Sequence, residues 1–207
     1  MAWDQVEYRE DELRACPVIL IVDTSRSSES SIEKLNAELE MLMRKFDELD
    51  RFENCIRVTV IDAGENARTI GKIHSEPAEF LQNFMSLTVK GDRNFRAAFV
   101  ETKRISKDRN ITPKRWHKPI LILIADEISD EERTTFEQLP AVEKFEFQNL
   151  GAALTEFEII SRAIERLCKP KFISPKNVSG MHRATTTRKR TRAIKNSAAE
   201  DYDDDWN

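Results

Sequence analysis

Glycine and cysteine are scarce in this chain, with five Gly and three Cys in 207 residues. There is no Gly-x-x-x-x-Gly-Lys phosphate loop and no Gly-x-Gly-x-x-Gly turn, so nucleotide chemistry has no visible cradle. A Gly-x-Ser-x-Gly elbow is also missing, and no His lies near Ser25 in sequence, which argues against serine hydrolysis. His74, His117 and His182 are isolated and read as surface or internally satisfied side chains, not as catalysts. Cys16, Cys55 and Cys168 are odd in number, far apart and without metal-type pairing, so reduced, partly buried thiols are expected in place of a disulfide frame. The longest apolar runs, residues 16–22 and 119–125, fall far short of the roughly 20 residues that cross a bilayer. Residues 1–14 carry several acids and no apolar core, unlike a secretory signal, so the expected location is the cytosol with no membrane partner.

What is present is ample material for a core, with 40% hydrophobic and 34% charged residues. The net charge of -4 hides an uneven distribution. Residues 1–165 hold 23 Lys+Arg against 32 Asp+Glu, a net of -9. Ten bases and no acid then occupy residues 166–199, and five acids crowd the last eight positions. Apolar periodicity fades near Ser174. The expected organisation is an N-terminal extension over 1–14, one domain over 15–174, and a flexible tail over 175–207 that is first basic and then acidic. Arg188, Lys189, Arg190 and Arg192 form the densest basic cluster. It reads as a solvated linker or as a non-specific nucleic-acid contact, and no aromatic interleaves it to stack on bases.

Residues 17–22 (Pro-Val-Ile-Leu-Ile-Val) form a β-branched run that suits a strand buried on both faces of a parallel sheet. Ile32, Leu35, Leu39, Leu42, Phe46 and Leu49 then fall at helical spacing, with Ser30 and Glu33 offering a capping box. Strands are expected over 57–63, 67–73 (an edge), 119–125 and 142–147. Helices are expected over 77–84, 95–105, 129–139 (capped by Ser129 and Glu132) and 155–167. This alternation predicts an α/β fold: a doubly wound, mostly parallel central sheet with helices on both faces. Ligands of such sheets bind at the carboxyl ends of the strands, near the topological switch point, and Asp23 and Asp126 each follow an interior strand there.

Asp23, Ser25 and Ser27 put one carboxylate and two hydroxyls on a single loop, and Asp126 supplies a second carboxylate. Hard oxygen donors of this kind suit Mg²⁺ or Mn²⁺, which would offset the repulsion between the acids and leave sites open for an acidic group of a partner. The alternative reading of the same residues is a helix-entry loop, where Ser and Asp are favoured caps. Asp23 as the nucleophile of an aspartyl phosphohydrolase is disfavoured, because the acid expected two positions on is Ser25.

At these residues the chain resembles the von Willebrand factor A (vWA) domain. The metal-ion-dependent adhesion site of that family reads Asp-x-Ser-x-Ser after the first strand, with a Thr on a second loop and an Asp after the fourth strand. Residues 17–46 look most like the bacterial tellurite-resistance TerY-type subgroup. The resemblance implies a Rossmann-like fold and metal ligands Asp23, Ser25, Ser27 and Asp126. It also implies a non-enzymatic protein-protein interaction scaffold of a bacterial stress-response or defence system, working beside kinase, phosphatase or ATPase partners. Departures are equally specific. Gly91-Asp92-Arg93-Asn94 stands where the family has approximately Gly-Gly-Thr-Ser, so either Asp92 replaces the hydroxyl as a ligand or the Arg93 guanidinium sits between the carboxylates as a permanent cation. Glu127 replaces the usual Gly and becomes a further ligand or a rim acid. Arg93 and Glu127 are thus the expected partner-binding residues, and the family's last strand-helix pair is expected to be missing or reduced. The alternative function is a nucleic-acid-associated subunit that uses the basic segment.

Overall fold

A computed structural model describes residues 14–26, 31–51, 54–84 and 86–168. Its elements in chain order are β1 (Cys16–Val22), α1 (Ile32–Asp50), β2 (Ile56–Asp62), β3 (Arg68–Ser75), α2 (Pro77–Gln82), α3 (Phe95–Lys107), β4 (Ile120–Ile124), α4 (Asp130–Glu137), β5 (Glu143–Phe147), α5 (Leu150–Thr155) and α6 (Phe157–Cys168). The strands form one sheet in the order β3-β2-β1-β4-β5. Every pair is parallel except β2 with β3, which is antiparallel. The α/β fold expected from the alternation is therefore present.

The apolar runs of β1 and β4 are continuous because both faces of these strands are covered. Val18, Leu20, Val22, Ile120, Ile122 and Ile124 point into one core with residues of α1, α5 and α6. Ile19, Ile21, Leu121 and Leu123 point into a second core with Phe95, Ala98 and Phe99 of α3 and Phe136 of α4. Alternate side chains of a strand face opposite ways, so a strand sandwiched between helix layers has no position that tolerates a polar residue.

Several boundaries differ from the sequence reading for local reasons. Helix α2 stops at Gln82, and the Asn83 N–H turns back to the carbonyls of Glu79 and Phe80. The helix expected over 155–167 is α6, shifted to Phe157–Cys168, and a short helix the sequence reading did not include, α5, precedes it, started by Asn149, whose side chain accepts from the Ala152 N–H. The Ser129–Glu132 capping box is formed reciprocally at α4. Ser30 lies outside the described residues, and Ser31 takes the N-cap of α1 without a side-chain cap bond. Among the described residues β5 is followed by no sixth strand, while two helices are present after it. The tail boundary near Ser174 falls outside the described residues.

The thiol expectation is corrected: Cys55 and Cys168 are joined in a disulfide across a sequence separation of 113, and Cys16 is a free, buried thiol. Spacing along the chain could not show this pair, because β2 and α6 bring its two halves together only once the sheet is wound. Burial pushes the Cys16 thiol up to about 12, so it stays protonated at neutral pH. His74 is an internally satisfied histidine. It sits in the left-handed region at φ 57°, its Nε2 is 2.8 Å from Thr112 Oγ1 and its Nδ1 is 3.2 Å from Thr59 Oγ1. Trp116 packs edge-on against its ring at 5.2 Å.

Candidate functional site

Three neighbouring parallel strands end at an acid or within two residues of one. Val22 is in register with Asp62 of β2 and with Ile124 of β4. The Asp23 N–H donates to the Ile124 carbonyl at 3.0 Å, and the Ala63 N–H donates to the Val22 carbonyl at 2.9 Å. The stretches that carry Asp23, Asp62 and Asp126 therefore leave the sheet side by side. Asp23 and Asp62 are buried, whereas Asp126 and Glu127 are exposed.

A fourth segment, residues 87–94, is laced onto these ends by backbone bonds. Lys90 N–H donates to Thr24 O, Arg26 N–H to Gly91 O and Glu65 N–H to Lys90 O, each at 3.0 Å, and Asn94 N–H donates to Ala63 O at 2.9 Å. The fit needs glycine twice. Gly91 has φ 53°, and a Cβ there would fall 2.6 Å from Glu65 Cβ; a Cβ on Gly64 would fall 2.6 Å from the Lys90 carbonyl oxygen. Asn94 then caps α3 by accepting from the Ala97 N–H.

This lacing delivers Arg93 to Asp23. Its Nη1 lies 3.9 Å from Asp23 Oδ2 and donates to the Glu127 carbonyl at 2.7 Å. The guanidinium carbon sits 5.3 Å from the centre of the Phe95 ring, which shields one face of the cation. The other Asp23 oxygen, Oδ1, accepts from the Ser25 N–H at 2.9 Å. One arginine thus ties the loop after β1 to the loop after β4, and it does so from the position where a hydroxyl was expected.

Asp62 is the residue that sequence reading missed. It is 1% exposed, its Oδ1 accepts from the Thr24 hydroxyl and from the Gly64 N–H, and its Oδ2 faces Arg68 Nε at 3.7 Å and Lys90 Nζ at 3.9 Å. The signal was available: Ile61-Asp62 closes an apolar strand just as Val22-Asp23 does.

Of the expected metal ligands, the fold brings the Asp23, Ser25 and Asp126 segments to one end of the sheet. Asp92 is exposed beside Arg93, and Ser27 lies outside the described residues, as do Arg188, Lys189, Arg190 and Arg192. Among the described residues no group of three or more His, Cys, Asp or Glu could hold a metal ion. The donor set around Asp23 is that of a carboxylate already facing a fixed cation, and in that arrangement it does not fit an added Mg²⁺ or Mn²⁺. Among the described residues no helix is long and apolar enough to cross a membrane.

Comparison with known proteins agrees with this architecture. Over about three quarters of its length the chain resembles the conserved hypothetical protein BatB from Bacteroides thetaiotaomicron (15% identity, TM-score 0.50, 75% of this chain and 100% of that one). It is also similar to proximal thread matrix protein 1 from the mussel byssus, solved with a zinc-occupied MIDAS motif (12% identity, TM-score 0.52, 73% of this chain and 46% of that one). A three-domain portion of the type V pili tip protein Mfa5 from Porphyromonas gingivalis is a weaker likeness (13% identity, TM-score 0.45, 55% of this chain), and this chain spans only 20% of it. No curated protein matches. The sequence profile of the von Willebrand factor type A domain covers residues 18–128, more than half of the chain, and with most of β1, the Asp23 loop, α3 and β4 inside that span, the protein belongs to the von Willebrand factor type A domain family.

Proposed function

We propose that the chain is a non-enzymatic protein-protein interaction module that receives an acidic group of a partner at the loops after β1 and β4, with the Arg93 guanidinium as the resident positive charge. The observation that carries this reading is the placement of Arg93 between the buried Asp23 carboxylate and the Glu127 carbonyl. Those two contacts hold the cation in one orientation while its side chain stays 32% exposed. A planar guanidinium offers five N–H donors in a fixed fork, so a partner carboxylate can take a bidentate pair on the side away from Asp23. Asp126 and Glu127 on the rim repel acids that approach off-centre, which supplies specificity through geometry.

In this reading the partly degenerate adhesion site works without a divalent ion. Mg²⁺ or Mn²⁺ held by Asp23, Ser25, Ser27, Asp126 and Asp92 would first have to displace Arg93 from Asp23. Assignment to the TerY-like subgroup, with a bacterial stress-response or defence role beside kinase, phosphatase or ATPase partners, rests on the resemblance of residues 17–46 alone. The cytosolic location is part of the same proposal, and the Cys55–Cys168 bond bears on it, since disulfides are rare in reducing compartments. Alkylation of protein taken directly from its native cell reads the state of that pair.

The test of the site is selection of random peptides on the full chain in the presence of a chelator. Enrichment of sequences centred on Asp or Glu, lost in Arg93→Ala and in Asp23→Ala, is the expected result. Enrichment that survives Arg93→Ala, or that appears only when Mg²⁺ is supplied, would overturn the metal-free reading.

A further inference from the structure

Within the acidic body one segment of the sequence is strongly basic. Residues 93–118 hold nine Lys+Arg and two Asp+Glu, whereas the rest of residues 1–165 holds 14 against 30. All of α3 lies in this segment. Its apolar side, Phe95, Ala98, Phe99, Thr102 and Ile105, is buried and fixes how the helix is rolled. Arg96, Val100, Lys103 and Lys107 are consequently exposed. At 3.6 residues per turn these four fall within about 60° of arc, and at 1.5 Å per residue they span about 16 Å of helix. Arg104 is engaged by Glu101 through two bonds of 2.7 Å. Among the described residues Arg96, Lys103 and Lys107 make no ion pair. The loop after the helix continues the charge with exposed Lys114 and Arg115.

We infer that this face of α3 docks the phosphate backbone of duplex nucleic acid. The chemistry of the stripe selects that partner in two steps. A protein interface is centred on apolar and aromatic anchors that become buried, and here the one exposed apolar side chain is Val100, at 65%. A single-strand platform needs aromatic side chains on which bases stack, and the stripe has none. Cations set in a line along a convex helix match a regular polyanion, and phosphate contacts of this kind are electrostatic and independent of sequence. This inference stands apart from the carboxylate site and uses none of the basic residues at 188–192.

The test uses the full chain with Arg188, Lys189, Arg190 and Arg192 changed to Gln, so that the C-terminal bases do not answer for the helix. Fluorescence anisotropy with duplex DNA and duplex RNA of about 20 base pairs is followed between about 50 and 200 mM salt. Binding should weaken steeply with salt. Combined Arg96→Glu, Lys103→Glu and Lys107→Glu should lower affinity at least tenfold and reduce the logarithmic salt slope by about 2.7, or 0.9 for each lost phosphate contact. The same number of charge reversals at Lys34 and Arg44 of α1 and at Arg51, its C-cap, serves as the control for net charge. These positions are exposed, and unchanged melting of each variant confirms that the fold is intact. Equal affinities for the α3 and α1 variants would overturn the inference. Binding of poly-glutamate in preference to either duplex would overturn it in favour of an acidic polypeptide.

Discussion

Arg93 holds Nη1 3.9 Å from Oδ2 of Asp23 while the same nitrogen donates to the Glu127 carbonyl. A positive charge therefore stands beside the buried acid of the first loop with no ion required. Replacing Arg93 by Thr removes the charge and restores the hydroxyl that the family pattern has on its second loop. Calorimetry should then show no heat with Mg²⁺ or Mn²⁺ for the wild-type chain and a measurable heat for Arg93→Thr. The double variant Arg93→Thr/Asp23→Ala should be silent again. At ten times its dissociation constant, the ion should stabilise Arg93→Thr by about 1.4 kcal/mol. A wild-type heat equal to that of Arg93→Thr would show that the guanidinium does not occupy the cation's place.

Asp62 makes a separate prediction, about the scaffold under the site. Its Oδ1 satisfies the Thr24 hydroxyl and the Gly64 N–H, and both of those donors sit on loops that shape the notch. Arg68 is more than half exposed and Lys90 stands 3.9 Å off with a partly exposed side chain, so these long, screened pairings with Asp62 contribute little. The hydrogen bonds decide the outcome. Asp62→Ala leaves buried donors without an acceptor and should cost about 2–5 kcal/mol in denaturant unfolding. Asp62→Asn keeps an acceptor in the same place and should cost clearly less. Equal losses for the two would mean that the charge, not the bonding, is what the site needs.

Long-range closure separates what the chain disclosed from what it did not. Residues 17–22 and 119–125 announced their strands because burial on both faces leaves no polar position to confuse the period. The Ser129 cap was readable because a capping box is complete within four residues. Asp23 and Arg93 were each visible, but their pairing depends on the backbone lacing of residues 87–94, which spacing along the chain does not encode. Asp62 escaped notice because a strand-ending acid looks the same in sequence whether it is solvated or, as here, closed over by Thr24 and Gly64. The Cys55–Cys168 bond escaped for a like reason, its partners being 113 residues apart. The basic stripe of α3 was hidden in the net charge of the body, since only the roll of the helix gathers Arg96, Lys103 and Lys107 on one side.

His74 gives the molecule an acid-sensitive joint. Burial, reinforced by the positive charge of Arg57, lowers its pKa from 6.5 to about 4. Thr112 Oγ1 donates to the Ile105 carbonyl, so it accepts from His74 Nε2–H. The neutral ring carries its proton there and leaves Nδ1 to accept from Thr59. Because the folded pKa lies below the unfolded one, the unfolded chain binds the proton first as pH falls. The stabilisation is complete above pH 6.5, is lost progressively between 6.5 and 4 and levels off below, for a total of about 3 kcal/mol from this group. Asp50 works the other way, its carboxyl raised chiefly by burial, so it returns some stability at the acid end of the range. Urea midpoints measured at pH 7, 5.5 and 4.5 should therefore fall for the wild-type chain. In His74→Asn the fall should be much shallower, since Asn tolerates the left-handed backbone at this position and does not titrate. Parallel pH profiles for the two proteins would place the acid sensitivity elsewhere in the fold.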